Sequence, residues 1–417
     1  MARLSPLEEA LRRIDYRRVI LGTGFTVLFF SGGSRFAMGL MLKPMTDDLG
    51  WTRSTVSLAI AAFMLVSALS LPLVGRLVDR FSLRWVMGAG AVMMAMGVGL
   101  TGRINSPWQL FAVYGLVYAI GQAATSNLPV GVMISRWFIR RRSVANSVAV
   151  SGNATGQLVI IALLAAFLRA FGWRMSFTVL GLVNMVALVP LVLVTVRSRP
   201  PDRSGGEGRI SDTGQSSEDV APAQGSILRS TRLWLLIVVY AVCGFQDFFV
   251  ATHIVAFALD RGIGVVLAGN MLALMGLMGL AGVLLSGVLS DAFGPARPTA
   301  LCFLIRLGIF AFIIYFQGNA AVIAFALLYG FTFLITAPLT VVYAGSIFGP
   351  ARLGAVSGTI SMVHQIAGGL GAFVGAWIFD QWGSYDRAFG LMLALTVVAM
   401  ALTLMIKQEK PSESLAQ

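Results

Sequence analysis

VILGTGFTVLFFSGGSRFAMGLML, residues 19–42, is an apolar run broken by a single charged side chain, Arg35. At about 1.5 Å of rise per residue, a helix of this length crosses a hydrocarbon core roughly 30 Å thick. An arginine near the middle of such a helix costs at least about 2.5 kcal/mol on insertion scales. It therefore faces a protein interior or a watery cavity and marks a substrate or ion path. The rest of the chain agrees with a membrane setting. Of 417 residues, 57% are hydrophobic and 12% charged, and the mean hydropathy is +0.82, whereas a soluble domain carries roughly 25% charged residues.

Hydropathy and the placement of glycine, proline and charge divide the chain into twelve spans, at 19–42, 54–74, 84–102, 108–131, 143–167, 175–196, 232–256, 265–289, 298–316, 320–345, 354–378 and 387–406. The net charge of +13 would suggest nucleic acid in a soluble protein. With both termini inside, about 22 Lys and Arg fall on the cytoplasmic side and about 7 on the other, leaving Arg35 and Arg306 within spans. The basic charge is then topological, and nucleic acid is not an expected partner. The basic segment 1–18 reads as a retained cytoplasmic tail, because the apolar run after it is too long for a cleaved leader. Cys243 and Cys302 both lie within spans, which supports neither a structural disulfide nor a cysteine nucleophile.

Residues 197–231 are rich in Ser, Gly, Pro and charge and read as a cytoplasmic linker. They separate an N-terminal six-helix bundle, 19–196, from a C-terminal one, 232–406, with a cytoplasmic tail at 407–417. A constant offset of 212 residues pairs Asp48 with Asp260, Gly50 with Gly262, Gly75 with Gly287, Asp79 with Asp291 and Gly156 with Gly368. Two homologous halves follow, and parallel repeats of this kind put a substrate site between the halves near mid-membrane.

GRLVDRFSLR (75–84) and GVLSDAFGPAR (287–297) occupy matching places after the second and eighth spans. Gly75 and Gly287 suit close helix approach, and Asp79, Arg80 and Asp291 suit helix capping and pairing, so the two copies read as a gating latch. Over its whole length the sequence resembles the major facilitator superfamily, whose loop between spans two and three has a G-x-x-x-D-R/K pattern. GLMLKPMTDDLGWTR (39–53), WFIRRRSVANSVAVSGNATG (137–156) and SGTISMVHQIAGGLGAF (357–373) are similar to the bacterial branch related to the monocarboxylate porters. That resemblance implies transport of small organic anions, often with a proton. The mammalian-type porters carry an Asp and an Arg in span eight, but LALMGLMGLAGVLLSG (272–287) has no ionisable residue, so the anion anchor must lie elsewhere.

Arg35 and Asp247 are 212 residues apart, at equivalent positions on spans one and seven, which line the cavity in the resembling family. They are expected to face one another or a shared substrate, with Arg35 as the carboxylate anchor and Asp247 coupling a proton. The rival for this pair is a structural ion pair. His364 and Gln365, matching Gly152 and Asn153, sit near mid-depth and are candidate polar contacts, as is Asn153 itself. Tyr118, Gln122 and Asn127 on span four, and Gln246 beside Asp247, complete the candidate substrate contacts. Tyr114 reads as packing, His253 lies towards the outer end of span seven, and Arg306 on span nine is ranked below Arg35.

The sequence thus describes an all-α membrane transporter of twelve spans in a bacterial inner membrane, with no enzyme motif, metal-ligand spacing or cofactor signature. The favoured activity is symport of a small organic anion, a monocarboxylate, with a proton, by a monomer rocking its two bundles around a midplane site. One rival is proton-driven export of a drug or amphipathic metabolite. Another is a non-transporting sensor, which would have to read out through the short polar linker or tails.

Overall fold

The computed structural model describes residues 16–138, 142–197, 230–333, 335–336, 339 and 353–406. Most of the N-terminal tail, the linker between 198 and 229 and the C-terminal tail lie outside these. Every regular element among the described residues is helical. The first three helices are α1 (Tyr16–Leu49), α2 (Arg53–Arg80) and α3 (Leu83–Thr101). Then α4 runs over 107–124 with a π-helical middle, Phe111–Tyr118, and α5 covers Asn127–Trp137. Gly172, at φ 75°, breaks Arg142–Val183 into α6 (142–171) and a helix that continues to Thr195, α7 (173–195). The second half holds α8 (Thr231–Asp260), α9 (Val265–Phe293), α10 (Ala296–Tyr315), α11 (Asn319–Phe333), α12 (Leu353–Trp382) and α13 (Asp386–Met405).

Nine stretches among the described residues are long and apolar enough to cross a membrane. The differences from the twelve-span reading have local causes. One stretch, Ala145–Thr195, contains the Gly172 turn and so holds two of the expected spans. Expected span four is interrupted at Thr125–Ser126, between α4 and α5, and α11 is a shorter apolar helix that ends where description stops.

The duplication is visible in the backbone. Gly50 (φ 66°) and Gly262 (φ 78°) take the left-handed conformation 212 residues apart, and Gly172 (φ 75°) and Gly383 (φ 66°) do so 211 apart. A side chain with a Cβ is strained in that region, so glycine is what lets each turn be tight. The heaviest packing repeats as well: α1 lies along α6 and α8 lies along α12. A Cβ at Gly152 or Gly156 on α6 would run into the backbone of Phe25 or Phe29, and one at Gly371 on α12 into that of Phe245. Small residues let these backbones approach, as packing in lipid requires. The halves meet where α1 crosses α8, α2 packs on α12 and α6 on α9.

Candidate functional site

Between the halves lies a mid-depth cavity of about 270 Å³ bordered by Arg35, Asn127, Asp247, Phe248, His364 and Gln365. It shares Arg35, Asn127, Ser361 and Gln365 with a larger one of about 610 Å³ that runs past Pro72, Gly75 and Gly358. The sum falls in the range of small-molecule sites. Arg35 is held at this junction because Gly32 and Gly33, just before it on α1, are pressed against Asn153, Gly156 and Ile160 of α6. Its guanidinium carbon sits 4.9 Å from the ring centroid of Phe248, and its Nη2 donates to Gln365 Oε1 at a long 3.4 Å. Its Nε is buried without a hydrogen-bond partner among the described residues, and no carboxylate there pairs with it. Arg35 also borders a void of about 20 Å³, lined by Phe63, Tyr114 and Thr252, that is wide enough for one water.

Most of the expected contacts gather around this junction. Gln122, Asn127, Asn153 and Gln365 line the larger cavity, and His364 the mid-depth one. Asn153 Nδ2 donates to Asn127 Oδ1 at 2.9 Å, and the Ser67 hydroxyl donates to Gln122 Oε1 at 3.1 Å. Two of the expected contacts lie outside both walls. Tyr118 is fully buried in an aromatic stack with Tyr114 and Phe63, ring centroids 4.8 and 5.2 Å away. Gln246 is turned into the bundle, where its Nε2 donates to Met392 O and Thr396 Oγ1 and its Oε1 accepts from Arg306.

Asp247 meets a different arginine from the one expected. Arg306 of α10 reaches it with Nη2 at 2.6 Å from Oδ1, and both side chains are buried, at 0% and 4% exposure. The pairing is elaborately satisfied. Arg306 also donates to Gln246 Oε1 at 3.2 Å, Thr332 O at 3.0 Å and Thr332 Oγ1 at 3.2 Å, and the Tyr329 hydroxyl donates to Asp247 Oδ1 at 2.9 Å. On the other carboxylate oxygen, Oδ2, the Cys243 thiol donates at 3.4 Å and His364 Nε2 stands 3.6 Å away. Cys243, Asp247 and His364 bring three ligand-type atoms within 4.8 Å of one another. The Arg306 guanidinium already supplies the positive charge at this cluster, which makes it an ion-pair network. Sequence reasoning missed the Arg306 partnership. The available signal was that an arginine and an aspartate within spans of the same half each need a partner.

The opposite end of the interface from Gly75 and Gly358 is sealed by a cluster that crosses between the halves. Arg53, at the start of α2, pairs with Asp260 at 2.7 Å and donates to the Tyr385 hydroxyl at 2.8 Å. Its guanidinium also lies 3.7 Å from the Phe379 ring centroid. Lys43 joins Asp260 at 2.8 Å. Asp380 of α12 accepts the backbone N–H groups of Arg53 at 3.1 Å and Ser54 at 2.7 Å, capping the first turn of α2 from across the interface. Behind it His253 is buried, with Nε2 2.7 Å from Ala372 O and Nδ1 3.0 Å from the Tyr385 hydroxyl. A carbonyl only accepts, so Nε2 carries the hydrogen and Nδ1 accepts from Tyr385.

Of the expected gating motif, the side chains of Asp79, Gly287 and Asp291 lie outside the described residues. Arg80 is exposed at the end of α2. Gly75 does not mark a close helix approach here: a Cβ on it would meet nothing within 4 Å, because the cavity opens at this level.

The Major Facilitator Superfamily model matches residues 24–305 and 236–417. Among curated relatives, the uncharacterized MFS-type transporter YcxA of Bacillus subtilis is 26% identical over 92% of this chain and 93% of its own length. The oxalate:formate antiporter of Oxalobacter formigenes is 25% identical, covering 89% of this chain and 86% of that protein. Human monocarboxylate transporter 11 is 23% identical, covering 94% and 83%. Among solved structures, the nucleoside transporter NupG aligns over 95% of this chain and 100% of its own, with a TM-score of 0.76 at 13% identity. A bacterial homologue of the lysosomal transporter Spinster aligns over 94% and 96%, with a TM-score of 0.74 at 15% identity.

Proposed function

The chain belongs to the Major Facilitator Superfamily and is a membrane transporter, and from that premise we propose that it carries a small organic anion, a monocarboxylate, together with a proton. One observation carries the reading: Arg35, permanently charged, borders the mid-depth cavity with its Nε unpartnered and no carboxylate of the described residues beside it. A cation left open at that depth is stabilised by an anion brought in from outside, and the planar guanidinium suits a carboxylate. The relatives named for oxalate, formate and monocarboxylate transport lean the same way. In this reading Gln122, Asn127, Asn153 and Gln365 hydrogen-bond the remainder of the substrate.

The carrier works by alternating access, as a monomer in a bacterial inner membrane with both termini cytoplasmic. The cavity runs towards the end where Lys and Arg accumulate in the connections, and the Arg53–Asp260–Asp380 cluster closes the other, so this is an inward-facing state. Asp79, Arg80 and Asp291, with Gly75 and Gly287, form the latch of the opposite state.

The test is uptake into proteoliposomes of labelled lactate, pyruvate, formate, oxalate and benzoate, with and without an imposed pH gradient. Saturable, gradient-driven uptake of at least one is expected, and Arg35→Gln lowers its affinity roughly a hundredfold, the worth of two charge-assisted hydrogen bonds at about 1.5 kcal/mol each. Uptake of none, with movement of a lipophilic cation instead, overturns the reading in favour of an exporter.

A further inference from the structure

A substrate cannot reach the guanidinium that pairs with the Asp247 carboxylate. Arg306 is fully buried, borders neither cavity, and is engaged by Asp247, Gln246 and Thr332 together. An anion arriving at Arg35 therefore leaves the Arg306–Asp247 pair intact, and the accompanying proton needs another acceptor. We propose that this acceptor is His364, with Asp247 as its fixed counter-charge. The coupling role rests on the organic-anion reading; proton binding at His364 does not.

Three features of the site converge on that imidazole. First, His364 is the member of the network that both touches Asp247 and opens to the cavity: its side chain is 25% exposed against 4% for Asp247 and 0% for Arg306. Second, Asp247 offers it an under-used oxygen. Oδ1 accepts the short bonds from Arg306 and Tyr329, whereas Oδ2, among the described residues, has the Cys243 thiol at 3.4 Å and His364 at 3.6 Å. A protonated imidazole donates strongly to that oxygen; a neutral one has little to gain there. Third, His364 neighbours the anion anchor. Gln365, the next residue, accepts from Arg35, and the Phe248 ring packs edge-on against His364 at 6.2 Å while its face covers the Arg35 guanidinium.

Among the described residues, the charged and titratable groups around His364 are Asp247 and Cys243 on α8, Arg306 on α10 and Tyr329 on α11 acting through Asp247, Tyr240 of α8 on the cavity lining, and Arg35 on α1 reached through Gln365. With Arg306 and Asp247 cancelling, the balance left at the cavity is one fixed positive charge at Arg35 and one switchable charge at His364. Cavity water gives a proton to the ring nitrogen, a carboxylate binds Arg35, and each favours the other by the reciprocity of linked binding. On the far side the imidazolium returns its proton to water and the carboxylate leaves. One proton and one monoanion cross together, and no net charge moves.

The chain has only two histidines, His253 and His364, which makes the proton itself a usable probe. Histidine-labelled protein in nanodiscs is titrated by NMR, with His253→Gln identifying the His364 signal. In wild-type protein the His364 imidazole is expected to show both its neutral and its charged form as the pH is lowered. Asp247→Asn made together with Arg306→Gln, so that no buried guanidinium is stranded, removes the counter-charge and should cost that imidazole about tenfold in proton affinity. A His364 signal that stays neutral throughout, or a proton affinity indifferent to the paired change, overturns the proposal.

Coupling is read separately in the proteoliposomes, with the labelled carboxylates named above. Whatever uptake remains in His364→Gln should no longer respond to the pH gradient, and gradient-driven accumulation equal to wild type overturns the coupling role. If wild-type protein moves none of these carboxylates, the anion reading fails, while the NMR titration still decides whether His364 binds the proton.

Discussion

Two arginines within the spans of this protein do opposite jobs, and their surroundings say which is which. Arg306 donates to a carboxylate, an amide, a threonine hydroxyl and a main-chain carbonyl, whereas Arg35, among the described residues, has one long bond to Gln365. Removing one member of a buried ion pair strands the other charge, at about 3–5 kcal/mol. Arg306→Gln is therefore expected to lower the thermal unfolding temperature sharply, and adding Asp247→Asn should recover most of the loss. Arg35→Gln should unfold at or above the wild-type temperature, since it removes a charge that the empty carrier leaves unpaired. Scanning fluorimetry of the purified variants checks all three. The sequence offset puts Arg35 and Asp247 at equivalent positions on spans one and seven, and both border the mid-depth cavity. It could not say which arginine Asp247 would take as partner, because that depends on α10 packing beside α8 and α11 within one half. Gln246 is turned away from the cavity for a related reason: a polar atom at mid-depth needs a partner, and protein supplies one as readily as a substrate would. Tyr118 is instead held by ring stacking on Tyr114 and Phe63, its hydroxyl buried without a partner among the described residues.

At the scale of the helix, the glycines divide into those pressed against a neighbour and those standing free. An added methyl at Gly156 would collide with the Phe29 carbonyl oxygen, whereas at Gly22 it would meet nothing within 4 Å. Overpacking of this kind costs about 1–3 kcal/mol, so Gly156→Ala should depress the unfolding temperature and Gly22→Ala should leave it within error. Long apolar runs made α1, α2, α3 and the second-half helices legible in the sequence. The π-helical turn Phe111–Tyr118 was not, because it carries neither proline nor a charge to announce it. The break at Thr125–Ser126 is announced by the Ser126 cap and by Pro129 in the first turn of α5, inside an apolar run that hydropathy reads as one span. The Gly172 turn was legible, since GWR punctuates two apolar stretches there.

Across the whole molecule, one end of the interface between the halves is latched and the other gapes. Small residues close the latched end: a Cβ at Gly39 would strike Ala251 O, and one at Gly269 would strike Ala165. Gly75 on α2 and Gly358 on α12, at the open end, meet nothing. If the halves rock, these two glycines become the contact points of the other state, so Gly75→Leu should purify and unfold normally yet turn over at well under a tenth of the wild-type rate. Asp380→Ala removes a charged cap worth about 1–2 kcal/mol and should shift the resting population towards the opposite state roughly five- to thirtyfold. Labelling of a cysteine introduced in place of Thr252, buried beside Gly39, by a membrane-impermeant thiol reagent, in protein freed of Cys243 and Cys302, reads that shift. The Asp380 cap also bears on how this gate can change by mutation. Its carboxylate grips main-chain N–H groups at 53 and 54, and every amino acid except proline supplies that group. Substitution at Ser54 therefore leaves the hold intact, while a single change at 380 abolishes it, so this contact of the seal is inherited through one side of the interface only.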